Sequence, residues 1–371
     1  MKDNVLVNGH VALFLPELRA GGAERVFLTL AKDFVSRGLR VDLVLARLEG
    51  ELLTEVPPGV RLVPLSGQQS YGRTALAVTT LPRLIRYLRA NHPDAMLSTL
   101  TGTNLLAVVA HRLARVPTRL VLREAATLEN LRHPMYLLLM RFLYRRADAV
   151  VVLSQFMKNQ LEKALRLLPD KVIHIPNPID LERIMRDADE PLPDDFDASR
   201  PYAVAVGRLA PPKDYMTLLD AFRVIVQTSP SRLVILGEGP DRAMLVKRIH
   251  ELSLGDRIEL RGFDPNPYRW MTRASVVVLS SRWEGYPNVI LEALALGKYV
   301  VSTCYDASVQ DIVNDRTAAL VSVGDVTALA EAIKKAFSIP HAKKSSLPPG
   351  VVEAPSIYLQ VFGLTIEKGL L

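Results

Sequence analysis

The sequence predicts an α/β protein of two consecutive doubly wound, parallel-sheet (Rossmann-like) domains facing across a cleft. Three observations predict it. Short β-branched runs alternate with segments of helical period along nearly the whole chain, which is the rhythm of βαβ units. That rhythm halts between Asp180 and Arg200, a stretch with eight acidic residues, three arginines, Pro191 and Pro193. A length of 371 residues suits two domains of ordinary size.

In the first half the strand-like runs are VALFL (11–15), VDLVLA (41–46), VRLVPL (60–65), AMLSTL (95–100), RLVLRE (119–124), AVVVLS (149–154) and VIHIP (172–176). An amphipathic stretch, Ala23 to Ser36, follows the first run. After the acidic stretch come YAVAVGRL (202–209), RLVILGEG (232–239), RIELRGF (257–263), SVVVLSS (275–281), KYVVSTC (298–304) and AALVSV (318–323). The expected organisation is a first domain over 1–180, a linker over 181–200 and a second domain over 201–340. A basic, Pro-rich loop and a C-terminal helix, SIYLQVFGLTIEKGLL, complete the chain over 341–371. No repeat of solenoid length is present.

Composition narrows the class. Hydrophobic residues at 49% and charged residues at 23% are ordinary globular usage and exclude disorder. The single cysteine, Cys304, excludes an internal disulfide and a multi-cysteine metal cluster, and fits a reducing compartment. No apolar run reaches the ~18–20 residues that span a bilayer, and the N-terminal apolar stretch is too short for a signal peptide. A cytoplasmic protein, soluble or peripheral to a membrane, is expected. Residues 1–180 carry 24 Lys+Arg against 15 Asp+Glu, whereas 181–371 carry 22 against 24. The whole positive excess, +9, sits in the first half and points to an anionic partner there.

Three elements carry chemistry. GGAERV places Gly21 and Gly22 between the first strand and its helix, where free amides attract an anion or a polar sugar. A tight strand-to-helix connection would explain the same glycines. GRLAPPKDY places Arg208 and Lys213 on one loop closed by Pro211 and Pro212, a pair that suits a diphosphate; solvated loop charges are the plainer reading. SRWEGYPNVILEALALG follows a strand, with Pro287 placed as the first helical residue and the amides from Gly285 to Val289 aimed at an anion. Glu284 stands in the loop and Glu292 inside the helix. An unpaired carboxylate is costly in VILEALAL, which favours a functional Glu292.

Together, in this order and on this scaffold, these elements resemble the family 4 retaining glycosyltransferases of bacterial glycan assembly, whose fold is GT-B. The likeness is strongest over 201–336. Glu284 and Glu292 in SRWEGYPNVILEA match the family's glutamate pair, GRLAPPKDYMTLLDAF its diphosphate-binding segment, and VILGEGP and RIELRGF follow in family order. The resemblance implies that Arg208 and Lys213 neutralise the diphosphate of a nucleoside diphosphate sugar, with Glu284 on the donor sugar. It places Glu292 on the ribose, amides near Gly285, Tyr286, Asn288 and Val289 on the phosphates, and Gly262 and Phe263 at the base. Gly21 and Gly22 then line the cleft from the first domain. Two segments depart from the family pattern. Where many members carry a histidine, this sequence reads Arg123, Glu124, Ala125, so that role falls vacant or to Glu124. CYDASVQDI lacks the family's glycine.

The implied activity is retaining transfer of a hexose or N-acetylhexosamine, UDP-linked, to a lipid-linked or polysaccharide acceptor at the cytoplasmic membrane face. No metal or other cofactor is expected, because two cations and a helix end cover the diphosphate. The DAD at 187–189 lies in the acidic stretch and reads as solvated charge rather than a metal motif. TALAVTTLPRLIRYLRA (74–90) and HPMYLLLMRFLYRRA (133–147) combine apolar faces with arginines and suit either an anionic membrane or ordinary sheet-covering helices. A nucleotide-sugar epimerase or hydrolase is the alternative. Nucleic acid is not an expected partner, since no RNP-like, zinc-finger or helix-turn-helix signature is present. A dinucleotide dehydrogenase is disfavoured because Arg242 stands where GEG at 237–239 needs its third glycine.

Overall fold

A computed structural model of the chain describes residues 8–19, 21–65, 73–125, 134–197, 199–339 and 347–364. The chain divides into two compact units, Met1–Ile179 with Pro349–Leu371, and Asp180–Pro348.

The first unit holds a seven-stranded, all-parallel sheet: β1 (His10–Leu15), β2 (Arg40–Leu45), β3 (Val60–Pro64), β4 (Ala95–Thr99), β5 (Arg119–Glu124), β6 (Ala149–Val152) and β7 (Val172–His174). Their order is β3-β2-β1-β4-β5-β6-β7. Every residue of β1 is buried, as expected of a strand covered on both faces. Between the strands run α1 (Gly22–Ser36), α2 (Arg73–Asn91), α3 (Thr101–Ala114), α4 (Pro134–Leu143) and α5 (Gln155–Leu165). Phe27, Leu30 and Phe34 of α1 join Val11, Leu13 and Leu15 in one core. On β2, buried Asp42 lies 2.8 Å from His10 Nε2 and accepts from Arg61 Nε at 2.8 Å and the Tyr87 hydroxyl at 2.6 Å.

The second unit opens with α6 (Leu181–Ala188) and carries a six-stranded parallel sheet ordered β10-β9-β8-β11-β12-β13. Its strands are β8 (Tyr202–Val206), β9 (Arg232–Leu236), β10 (Ile258–Gly262), β11 (Val276–Leu279), β12 (Val300–Thr303) and β13 (Ala318–Val321). Among them lie α7 (Tyr215–Ile225), α8 (Arg242–Glu251), α9 (Tyr268–Arg273), α10 (Asn288–Ala295) and α11 (Val326–Ala336). All thirteen strand-like runs of the sequence contain strands, most of them shorter than the run, while VALFL gains His10 and RLVLRE is a strand throughout.

Three expectations need correction. The stretch 181–200 is not a structureless linker, because α6 occupies its first eight residues. Asp180 caps that helix, accepting from the Arg183 amide at 3.1 Å, while Ile184 and Ala188 are buried. Asp187 is not solvated charge: it is buried and paired with Arg183 at 3.2 Å and Arg186 at 2.8 Å. Nor is the C-terminal helix an appendage beyond the second domain. As α12 (Ala354–Phe362) it packs on α1 in the first unit, with Phe362 and Phe34 edge to face at 5.9 Å between ring centroids. It ends at Gly363, whose φ of +73° is left-handed, rather than running through the expected 356–371; residues 365–371 lie outside the described ones.

Candidate active site

In the second unit the strand order reverses between β8 and β11, so the loops leaving these parallel neighbours diverge at their carboxyl ends, where ligands of open α/β sheets bind. Hydrogen bonds tie the two loops together. The Arg282 amide donates to the Pro212 carbonyl at 2.7 Å, Ser280 Oγ to the Lys213 carbonyl at 2.8 Å, and Arg282 Nε to Asp214 Oδ2 at 2.9 Å. Thr303, at the end of β12, donates from Oγ1 to the Ser281 carbonyl at 2.5 Å.

These bonds bring two of the predicted residues into contact. Lys213 Nζ lies 2.5 Å from Glu284 Oε1, and Ser281 Oγ donates to the same oxygen at 2.6 Å. Both partners are largely withdrawn from water, with side chains 19% and 14% exposed. Arg208, on the same loop as Lys213, is exposed and has no ion-pair partner among the described residues. The sheet side of the site is shaped by close backbone packing. The Gly237 amide donates to the Gly262 carbonyl at 2.7 Å. Gly237 has φ +145° and a Cβ there would overlap the Gly207 carbonyl; at Gly262, φ +79°, a Cβ would come within 2.9 Å of Glu238 Oε1. Phe263 follows with its ring exposed.

On α10, Glu292 is half-buried between buried Leu291 and Ala293 and accepts from the Tyr268 hydroxyl at 3.4 Å. Pro287 is the residue before the helix rather than its first residue. The Asn288 amide is already bonded to the Tyr286 carbonyl at 3.0 Å, whereas the amides of Gly285 and Val289 have no acceptor among the described residues. An anion at this helix start would therefore meet the Gly285 and Val289 amides rather than that of Asn288.

In the first unit Gly21 precedes α1 and Gly22 begins it. The Glu24 carboxylate folds back on this turn, so that a Cβ on Gly21 would overlap it. Burial, and then the charge of Glu17, raise the Glu24 carboxyl above the usual range, against a lowering backbone hydrogen bond and Arg123. Glu124 ends β5 and is 1% exposed; it accepts from the Tyr144 hydroxyl at 2.6 Å and from Thr101 Oγ1 at 3.1 Å. The neighbouring Arg123 is buried as well, donating to Thr99 Oγ1 at 2.9 Å and Asn177 Oδ1 at 2.5 Å.

Residues 192–346 match the family model described as Glycosyl transferases group 1, and residues 20–183 match Glycosyltransferase Family 4. The chain belongs to the family 4 glycosyltransferases. Among curated relatives, a Campylobacter jejuni enzyme is 29% identical over 335 residues, covering 87% of this chain and 89% of its own. It is named N-acetylgalactosamine-N,N'-diacetylbacillosaminyl-diphospho-undecaprenol 4-alpha-N-acetylgalactosaminyltransferase. The amylovoran biosynthesis glycosyltransferase AmsD of Erwinia amylovora is 28% identical over 60% of this chain and 62% of its own. Among solved structures, Anabaena HepE in complex with UDP and glucose superposes with a TM-score of 0.75 at 20% identity, covering 95% of each chain, so the transferase has the GT-B fold.

Within this glycosyltransferase the structure adds to the sequence reading at Glu124, Glu24 and Tyr305. Glu124 is buried in the first unit and bonded by Tyr144 and Thr101 rather than standing open at the end of its strand. Glu24 went unread, because nothing in GGAERV says that its carboxylate turns back over the glycines. Tyr305 was missed too. It stands just after β12, and burial, followed by the charges of Glu284 and Asp306, pushes its phenol well above the usual range. Only the departure of CYDASVQDI from the family pattern signalled it. Among the described residues no group of three or more His, Cys, Asp or Glu is disposed to hold a metal ion.

Proposed function

We propose that this glycosyltransferase moves a hexose or N-acetylhexosamine from a UDP-linked donor, with retention of configuration, to a lipid-linked or polysaccharide acceptor. It works peripherally at the cytoplasmic face of the membrane and without a metal. The observation that carries the reading is the Lys213–Glu284 contact beside exposed Arg208, where the strand order reverses. Two cations and the free amides of Gly285 and Val289 suit a diphosphate, and a carboxylate one ion pair away suits sugar hydroxyls. As the donor's glycosidic bond breaks, charge builds on the leaving phosphate, and Arg208 and Lys213 neutralise it. That phosphate takes the acceptor's proton on the same face, so no protein carboxylate need act as nucleophile. The UDP bound to HepE and the diphospho-undecaprenol in the name of the Campylobacter relative support the donor and acceptor classes.

The test is a transfer assay with UDP-, GDP-, ADP- and TDP-sugars and a polyprenyl-diphosphate-linked acceptor, with and without EDTA, reading the product's anomeric configuration by NMR. Acceptor-dependent, EDTA-resistant transfer with retention from a UDP-sugar is expected. Inversion would overturn the mechanism, and loss of activity in EDTA would overturn its metal independence. Equal donor consumption without acceptor would favour an epimerase or hydrolase.

A further inference from the structure

α4 turns outward the kind of stripe that helices covering a sheet normally bury. Met135, Leu138, Leu139 and Phe142 recur at i, i+3, i+4 and i+7, and are 60%, 51%, 41% and 58% exposed. The helix has a separate inward side, since Met140 and, just beyond the helix, Tyr144 are fully buried. Tyr136 and Leu137 are exposed as well, so the first turn is uncovered all round and the buried side begins at Met140. The segment 134–147 also carries Arg141, Arg145 and Arg146 and no acidic residue. Arg145 donates to the carbonyls of Leu165 and Arg166, and Arg146 to that of Phe142; among the described residues no carboxylate pairs with any of the three.

The structure separates this segment from the other one that suited a membrane in sequence. α2 buries Leu84, Tyr87 and Leu88 and exposes no large apolar side chain among those described. Charge then selects the partner for α4. A second copy docking through the same face would bring the arginines of both copies together, and a nucleic acid offers nothing to an apolar stripe. An anionic leaflet satisfies both halves of the surface.

We propose that α4 lies along an anionic lipid bilayer, with Met135, Leu138, Leu139 and Phe142 among the acyl chains and the arginines at the phosphate plane. The inference rests on the peripheral-membrane reading above and names the surface responsible. It is tested by co-sedimenting the full chain with phosphatidylglycerol/phosphatidylcholine (3:7) and pure phosphatidylcholine vesicles. Wild type is expected to partition at least 10-fold more strongly onto the anionic vesicles. Leu138→Gln/Phe142→Gln and Arg141→Gln/Arg146→Gln should each lose at least 10-fold while melting like wild type. In addition, Phe142→Trp should be quenched by lipids brominated on the acyl chain. Undiminished binding by either double variant, an unquenched Phe142→Trp, or no wild-type binding to anionic vesicles overturns the proposal. So does a wild-type dimer that Leu138→Gln/Phe142→Gln makes monomeric. A UDP-induced thermal shift measured on the same samples keeps the two readings apart, because the donor reading fails only if that shift is absent.

Discussion

The Lys213–Glu284 pair makes a prediction whose sign separates the roles of its two members. In the free protein the Lys213 ammonium is engaged by Glu284 at 2.5 Å, and a donor diphosphate must share or take that cation. Removing the cation by Lys213→Met deletes a charge-assisted contact to phosphate, which is worth about 1.5–3 kcal/mol; the affinity for UDP should fall by about 10- to 100-fold. Glu284→Gln keeps a side chain that can accept from Ser281, yet removes both the competitor for Lys213 and a negative charge near the phosphates. Relief of roughly 1 kcal/mol of repulsion should tighten UDP, which lacks the sugar, by about 5-fold. Transfer by the same variant should collapse, because the proposed sugar contact is gone. Isothermal titration with UDP on wild type, both single variants and the double variant reads these values. A thermal-stability cycle on the same four proteins should give a coupling of about 1–3 kcal/mol for the pair. If Glu284→Gln weakened UDP as much as Lys213→Met does, the competition argument would be refuted.

Further predictions concern the framework. Lys298 is buried, donates to the Ala274 carbonyl at 3.0 Å, and is pushed down to about 8 by burial. Its depressed value means that stability is present above the unfolded pKa near 10.5 and is lost as pH falls through 8. After allowing for the lost hydrogen bond, Lys298→Met should raise stability at pH 7 by roughly 1–2 kcal/mol, an advantage that denaturant melts should see vanish by about pH 10.5. Asp42 is held well below the carboxylate range by His10, Arg61 and Tyr87, against the opposing effect of its burial. Its contribution is complete above about pH 4 and lost as pH falls further. Asp42→Ala should cost about 3–5 kcal/mol at pH 7, and its acid limb should be flatter than that of wild type. Phe362→Ala should cost about 3–5 kcal/mol and expose the C-terminal helix to limited proteolysis; a wild-type cleavage pattern would contradict its place in the first unit.

The strands were legible because a buried parallel strand writes its burial as an uninterrupted β-branched run, as VDLVLA and SVVVLSS do. The loops with Lys213 and Glu284 were legible because their residue types are unusual after such runs. Their ion pair was not, since it joins positions 71 residues apart and depends on β8 lying beside β11. α6 was hidden by its charges, which pair with one another along the helix and leave Ile184 and Ala188 as its only buried apolar residues. Likewise SIYLQVF read as a helix, but that it returns to α1 follows from where Phe34 meets Phe362, a property of the assembled first unit. The surroundings of Glu124 were not legible either, since its bond from Tyr144 joins positions 20 residues apart.

The central claim is that the second unit holds the donor's diphosphate through the loop carrying Arg208. It is tested most directly by a thermal-shift comparison of wild type and Arg208→Ala with UDP-, GDP-, ADP- and TDP-sugars. A shift with UDP-sugars in wild type that is abolished in Arg208→Ala is predicted; a wild type that responds to none of the four, or an equal shift in the variant, would contradict it.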